Sequence, residues 1–219
     1  MTIIREFEKK CAVCGKTSKQ PVLMSTNAWG YPDLDFRPSE MQRSTMSTWL
    51  VECPHCGYVA SNLENELEAS QDILKSDEYL TCEGNEFKSR LSERFYKHYL
   101  ISRAENDFGS EFLSLLHCAW TCDDADDELA VEMRKMAIKS MDKIVVESDE
   151  EKNNLQIIKA DLLRRSLQFD RVISEFKDFI LEDKLKNDII TFQIELAMKK
   201  DSECHTVEEV TTRVVSKPH

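Results

Sequence analysis

The sequence predicts an α+β protein that is mostly α: a small zinc-ribbon-like module followed by a tetratricopeptide-like array of helical hairpins. Two observations predict it. Cys11-Ala-Val-Cys14-Gly15 and Cys53-Pro-His-Cys56-Gly57 are paired Cys-x-x-Cys knuckles, the arrangement by which a small domain holds one tetrahedral zinc ion. From Asn62 to Lys217 the 219-residue chain has no proline, and its only glycines there are Gly84 and Gly109. That stretch is rich in Leu, Glu, Lys, Ala and Met and lacks the residues that break helices. The expected division is a knuckle module over 1–61, a helical repeat-like region over 62–200 and a C-terminal tail over 201–219.

The knuckles come first. One Cys-x-x-Cys is ambiguous, because thioredoxin-like redox sites share the spacing. Two copies, each followed by glycine and neither set in a βαβ pattern, point to zinc. The predicted metal set is Cys11, Cys14, Cys53 and Cys56, holding one structural ion; iron in place of zinc stays open for a tetrathiolate. Four sulfurs leave no position for substrate, so a catalytic zinc is not expected. His55, inside the second knuckle, reads as a turn residue facing solvent. The glycine after each pair lets the backbone fold under the sulfurs, and nearby N–H groups can then spread the thiolate charge. The 38 residues between the pairs exceed the roughly 15–20 of a compact ribbon, so an insertion with its own conformation is expected.

Within that insertion, Thr48-Trp49-Leu50-Val51 reads as a short strand running into the second knuckle, with Val22-Leu23-Met24 as its partner. Asp33, Asp35, Arg37 and Arg43 sit among Trp29, Tyr31 and Trp49. Such a cluster beside a rigid metal centre could grip a peptide or small ligand. Trp29, Asp33, Asp35, Arg37 and Arg43 are therefore the candidate ligand or partner surface. The competing reading is structural: Asp33 capping a turn, Arg37 pairing with Asp35 or Glu40, and the aromatics filling the mini-core of a small zinc domain.

The helices follow. Ser61 with Glu64, and Ser148 with Glu151, match the capping box and predict helix starts for 62–76 and 149–167. Further helices are expected near 86–105, 110–122, 127–146, 170–182 and 185–200. Leu129, Met133 and Met136 match Val172, Phe176 and Phe179 at an offset of 43, the trace of a repeated helix pair that must stack to bury its apolar face. A plain helical bundle is the alternative. Cys118 and Cys122 lie one turn apart, next to His117; they read as core residues, with a metal or thiol site as the rival. Residues 201–219 read as a loose tail in which Cys204-His205 is incidental.

Charge and composition narrow the function. Residues 1–62 carry 7 Lys/Arg against 6 Asp/Glu, and residues 63–219 carry 22 against 35. A strongly acidic helical part repels phosphate backbones, which disfavours nucleic acid as a partner. The opening Met1-Thr2-Ile3-Ile4-Arg5 is not an apolar leader, and no run of about 18 apolar residues is present to span a membrane. Eight cysteines without export signals fit a reducing compartment, so a cytoplasmic location is expected. No P-loop, dinucleotide fingerprint, nucleophile elbow or His-Glu-x-x-His motif occurs.

The segment Ser25-Thr26-Asn27-Ala28 through Pro32-Asp33-Leu34-Asp35-Phe36-Arg37-Pro38, Met41-Gln42-Arg43-Ser44-Thr45-Met46 and Cys53-Pro-His-Cys-Gly-Tyr-Val-Ala60 resembles a bacterial family described only as a domain of unknown function. That family pairs N-terminal Cys-x-x-Cys motifs with a tetratricopeptide-like helical region. The resemblance covers residues 11–60 closely and 86–200 loosely. It implies the same four cysteines as ligands and no activity. Three readings of function remain. The first is a zinc-binding interaction or scaffold protein with a protein or peptide partner. The second is an enzyme with a pocket between zinc module and helices, using Asp33, Asp35 and Arg37. The third is a nucleic-acid-binding ribbon using Arg5, Lys9, Lys10, Lys16 and Lys19.

Overall fold

The computed structural model describes residues 1–216. The architecture is α+β and mostly helical, as the sequence predicts. Two antiparallel hairpins carry the knuckles at their tips. Strands β1 (Ile3–Lys10) and β2 (Thr17–Ser25) flank the first, and β3 (Val51–Glu52) and β4 (Val59–Ala60) flank the second. Between the hairpins, residues 26–50 form irregular turns and one 3-10 segment, Arg43–Thr48.

The strand expectations are corrected here. Thr48 closes the 3-10 segment, so β3 begins only at Val51 and pairs with β4. Val22 and Leu23 pair instead with Arg5 and Ile4. The first hairpin escapes sequence reading because β1 is exposed along nearly its whole length and so shows no alternating apolar face.

The expected helix over 62–76 is absent. Leu63 is buried, and its carbonyl accepts from Ala12 N–H at 2.8 Å, tying this segment to the first knuckle. A helix would commit that carbonyl to its own ladder. Asn62 Oδ1, not the Ser61 hydroxyl, accepts from Glu64 N–H. The chain then makes a 3-10 turn at Gln71–Lys75 and a single α-turn, α1 (Asp77–Leu80).

The remaining helices match the predicted segments with shifted ends: α2 (Arg90–Glu105), α3 (Phe108–Asp124), α4 (Leu129–Met141), α5 (Asp149–Arg165), α6 (Phe169–Phe176) and α7 (Lys184–Met198). The Ser148 hydroxyl accepts from Glu151 N–H at 3.1 Å, the predicted cap. Helix α2 packs on α3, α3 on α4 and α4 on α5, while α6 and α7 pack on each other and on α5. Successive antiparallel neighbours joined by short turns bury the apolar stripes.

Residues 207–216 form helix α8 rather than a loose tail. Val207 and Val210, one turn apart, are buried, and α8 packs on α7. The segment before it is also held. Val207 N–H donates to the Pro32 carbonyl at 2.9 Å and Leu34 N–H to the His205 carbonyl at 3.0 Å. Three residues of the expected tail, 217–219, lie outside the described residues. One buried cluster joins Cys11, Leu34, Val51 and Val59 to the helix residues Phe95, Leu115, Leu162 and Ile190. No helix among the described residues is long and apolar enough to cross a membrane.

Candidate metal centre

The two knuckles have the same backbone. Cys11 N–H donates to the Lys16 carbonyl at 2.9 Å, and Gly15 N–H donates back to the Cys11 carbonyl at 2.8 Å. Cys53, Tyr58 and Gly57 repeat this at 2.8 and 2.9 Å. The turn requires a positive φ at the residue after the second cysteine, and Gly15 (+71°) and Gly57 (+75°) provide it. A side chain there would be strained. Each hairpin thus delivers two sulfurs from one tight loop.

The four sulfurs lie within 4.8 Å of one another. Cys11 Sγ and Cys56 Sγ are 3.7 Å apart, as are Cys14 Sγ and Cys53 Sγ. Four sulfurs each about 2.3 Å from one zinc ion sit about 3.8 Å apart along the edges of a tetrahedron, whereas a disulfide brings two sulfurs to about 2.05 Å. The donor set therefore fits a single tetrahedral ion.

Nearby dipoles favour the thiolate form. The Lys16 N–H holds the Cys14 thiol below its ordinary value. Burial raises Cys56, against an equivalent N–H from Tyr58. Burial also raises Cys11, against the N–H groups of Cys14 and Val13. Donors aimed at sulfur spread thiolate charge once a metal replaces the protons. Tyr79 fixes the second knuckle to α1 by donating its hydroxyl to the Gly57 carbonyl at 2.6 Å. His55 is exposed and outside the sulfur cluster, as expected of a turn residue.

The insertion residues part into two groups. Trp29 is 73% and Tyr31 47% exposed. Asp33, Asp35 and Arg37 are buried at 3, 1 and 5% exposure. Arg43 Nη2 donates to Asp33 Oδ1 at 2.6 Å, and its Nε to the Pro38 carbonyl at 2.8 Å. Arg37 Nη2 meets Asp124 Oδ2 at 2.5 Å. Trp120 Nε1 donates to Asp35 Oδ2 at 2.6 Å, with Arg165 Nη1 at 3.8 Å. Asp123 in turn accepts from Arg134 and Arg165. The acid–arginine cluster thus locks the insertion onto α3 and α5, with Arg134 of α4 joined to it through Asp123. Burial, reinforced by Asp161, raises the Asp35 carboxyl to about 6 despite the opposing Arg165 and Arg134. The aromatics form no joint mini-core, since Trp29 and Tyr31 face solvent and only Trp49 packs inward.

Cys118 and Cys122 are buried core residues, and the Cys118 thiol donates to the Ser92 carbonyl at 3.3 Å. His205 lies between Asp201 and Glu209, at 3.1 and 2.8 Å. Neither pair belongs to a metal-holding group among the described residues. Sequence reading missed the partners of the insertion: Asp124, Trp120 and Arg165 stand 85 or more positions away from the residues they meet, and no local pattern links them.

No family model, curated protein or solved structure matches the chain. The four-cysteine centre and the helical region are consistent with the resemblance noted from the sequence, and the architecture rests on the geometry alone.

Proposed function

We propose that the protein is a structural-zinc interaction module, in which one ion clamps two hairpins and the first hairpin offers a face to an extended segment of another polypeptide. The observation that carries this reading is the state of β1. The sheet has only two strands, so the outer backbone edge of Ile3–Lys10 pairs with no other strand among the described residues. Unpaired N–H and C=O groups along an edge are a template for strand addition by a peptide. Ile4, Phe7 and Met24 on this hairpin, and Trp29 beyond it, are exposed and offer side-chain contacts. The metal is zinc in this reading because four thiolates at tetrahedral spacing suit a d10 ion and close the site to substrate.

Nucleic acid is a poorer partner for the same hairpin. Lys9 is held by Glu64 at 2.7 Å, and Glu6 and Glu8 alternate with the basic residues of β1, which opposes a phosphate backbone.

The test is site-specific photo-crosslinking in cells, with the crosslinker at Phe7 and, as a control, at the exposed Val145. A discrete adduct formed from Phe7 and not from Val145, and lost when Glu6→Pro blocks the strand edge, supports the reading. Absence of any Phe7 adduct from folded, zinc-loaded protein overturns it. Elemental analysis should return one zinc per chain, and none in Cys11→Ser or Cys53→Ser.

A further inference from the structure

Between the β3–β4 hairpin and helices α2 and α3 lies a cavity of about 340 Å³, within the size range of small-ligand sites. Trp49 and the half-exposed Leu113 give it apolar surface, with the buried Phe95 and Ile101 also in its lining. Two imidazoles, His98 from α2 and His117 from α3, also line it.

The hydrogen bonds fix the tautomer of His98. The Ser114 hydroxyl donates its only proton to the Ser110 carbonyl at 2.6 Å. Its oxygen, 2.7 Å from His98 Nδ1, must therefore accept. Ser102 likewise spends its proton on the His98 carbonyl at 2.9 Å. Nδ1 carries the imidazole proton, and Nε2 is left as an acceptor that no protein group fills among the described residues. His117 is stacked among Trp49, Phe95 and Trp120 at ring distances of 5.0, 5.3 and 4.9 Å. No protein group hydrogen-bonds its ring nitrogens among the described residues. Burial keeps both imidazoles neutral near pH 7, lowering His98 to about 4, against Asp107, and His117 to about 3, helped by His98 and Arg37.

The sign of the ligand follows from the rest of the lining. Glu66, Glu105 and Asp107 contribute carboxylates, and no lysine or arginine lines the cavity, the cationic influence on its imidazoles being that of Arg37 on His117. An anion entering here meets like charge and vacant lone pairs. A protonated amine meets opposite charge and an acceptor.

We propose that this cavity binds a small organic cation, a compact apolar body that lies against Trp49 and Leu113 and ends in an ammonium group donating to His98 Nε2. This site is separate from the β1 edge and does not depend on the interaction reading.

The test titrates the zinc-loaded full chain with three probes that share one body: phenethylamine, phenethyl alcohol and phenylacetate. Histidine C–H resonances and tryptophan fluorescence report occupancy. Saturable shifts at His98 and His117 with phenethylamine are expected, with phenylacetate weaker by about tenfold or more. Glu66→Gln, at an exposed position, should weaken the amine and leave the alcohol unchanged. Leu113→Trp should fill the mouth and abolish binding; because Leu113 is half-exposed, the circular dichroism should not change. Equal binding of amine and carboxylate, or no saturable shift with any probe, overturns the proposal. A capped lysine peptide serves as the last arm, and binding tighter than the free amine would assign the cavity to a polypeptide side chain and overturn it too.

Discussion

Acid should weaken this protein through His117, and the size of the effect follows from its surroundings. An imidazole with an ordinary value of 6.5 is lowered to about 3 at His117 and about 4 at His98, chiefly by burial. Between these values the unfolded chain binds a proton that the folded chain refuses, so stability falls as pH drops through 6.5. Going from pH 7 to pH 5 costs about 2 kcal/mol for each histidine. Asp35 acts in the opposite direction. Its folded value, about 6, lies above the ordinary 3.8, so the folded state takes up its proton first and regains about 1 kcal/mol over the same interval. These three groups together leave the protein about 2–3 kcal/mol less stable at pH 5 than at pH 7. His117→Phe keeps an aromatic ring among Trp49, Phe95 and Trp120 and removes one of the two histidine contributions. Urea unfolding of both proteins at pH 7, 6 and 5 is the assay. The variant should gain about 2 kcal/mol on the wild type between pH 7 and pH 5, about 1 M in urea midpoint. Proton-driven loss of metal affects both proteins equally, because the variant keeps all four cysteines, and it cancels in the difference. A difference that does not change with pH would refute the account.

Two further outcomes follow from buried groups. Arg164 is fully buried and binds Asp161, Gln193 and the carbonyls of Asp201 and Glu203. Arg164→Met should cost about 3–5 kcal/mol in urea unfolding because it strands a buried carboxylate, and adding Asp161→Leu should recover part of that; equal losses in the single and double variants would remove the ion-pair explanation. Val210→Asp places a charge in the contact of α8 with α7. It should expose α8 to limited proteolysis and free the amides of Leu34 and Val207 to exchange, whereas unchanged protection at both would show that α8 does not hold this corner.

What could be read from the sequence was what is local. The knuckles were legible because two tight turns need cysteine, cysteine and glycine at fixed offsets, and Ser148 was legible because a cap acts within one turn. Ser61 carried the same cap signature and failed, because the Leu63 carbonyl is claimed by the first knuckle and its side chain is buried in the core. The first hairpin was hidden by its exposure, which removes the alternation a half-buried strand shows. The insertion stayed open for a different reason. Asp33, Asp35 and Arg37 fit a binding cluster or a structural role in sequence, and only the fold reveals their partners: Arg43 on Asp33, Trp120 and Arg165 on Asp35, and Asp124 on Arg37. The cavity was invisible because His98 and His117 come from different helices and meet only through the packing of α2 on α3.

The same packing decides how far loss of the metal should spread. From sequence, a boundary near residue 62 suggests that Cys53→Ser would unfold the knuckles and spare the helices. The structure gives the two parts one core. Val51, Val59 and Ala60 are buried in the same cluster as Phe95 and Ile101 of α2. Arg94 of α2 donates to the Leu50 carbonyl at 3.0 Å, Lys97 reaches Glu52 at 3.5 Å, and Tyr79 holds Gly57. Structural zinc contributes about 10–16 kcal/mol in small peptides, as much as or more than the whole stability of an ordinary domain, about 5–15 kcal/mol. Without it, β3–β4 cannot stay formed, and α2 loses the surface that covers Phe95 and Ile101. Hydrogen exchange on chelator-treated protein should therefore show lost protection through 51–60 and along α2, with α5 and α7, which pack on each other, losing least. Full protection of α2 in metal-free protein would show that the helices fold without the hairpins and that the shared core is contact without cooperativity.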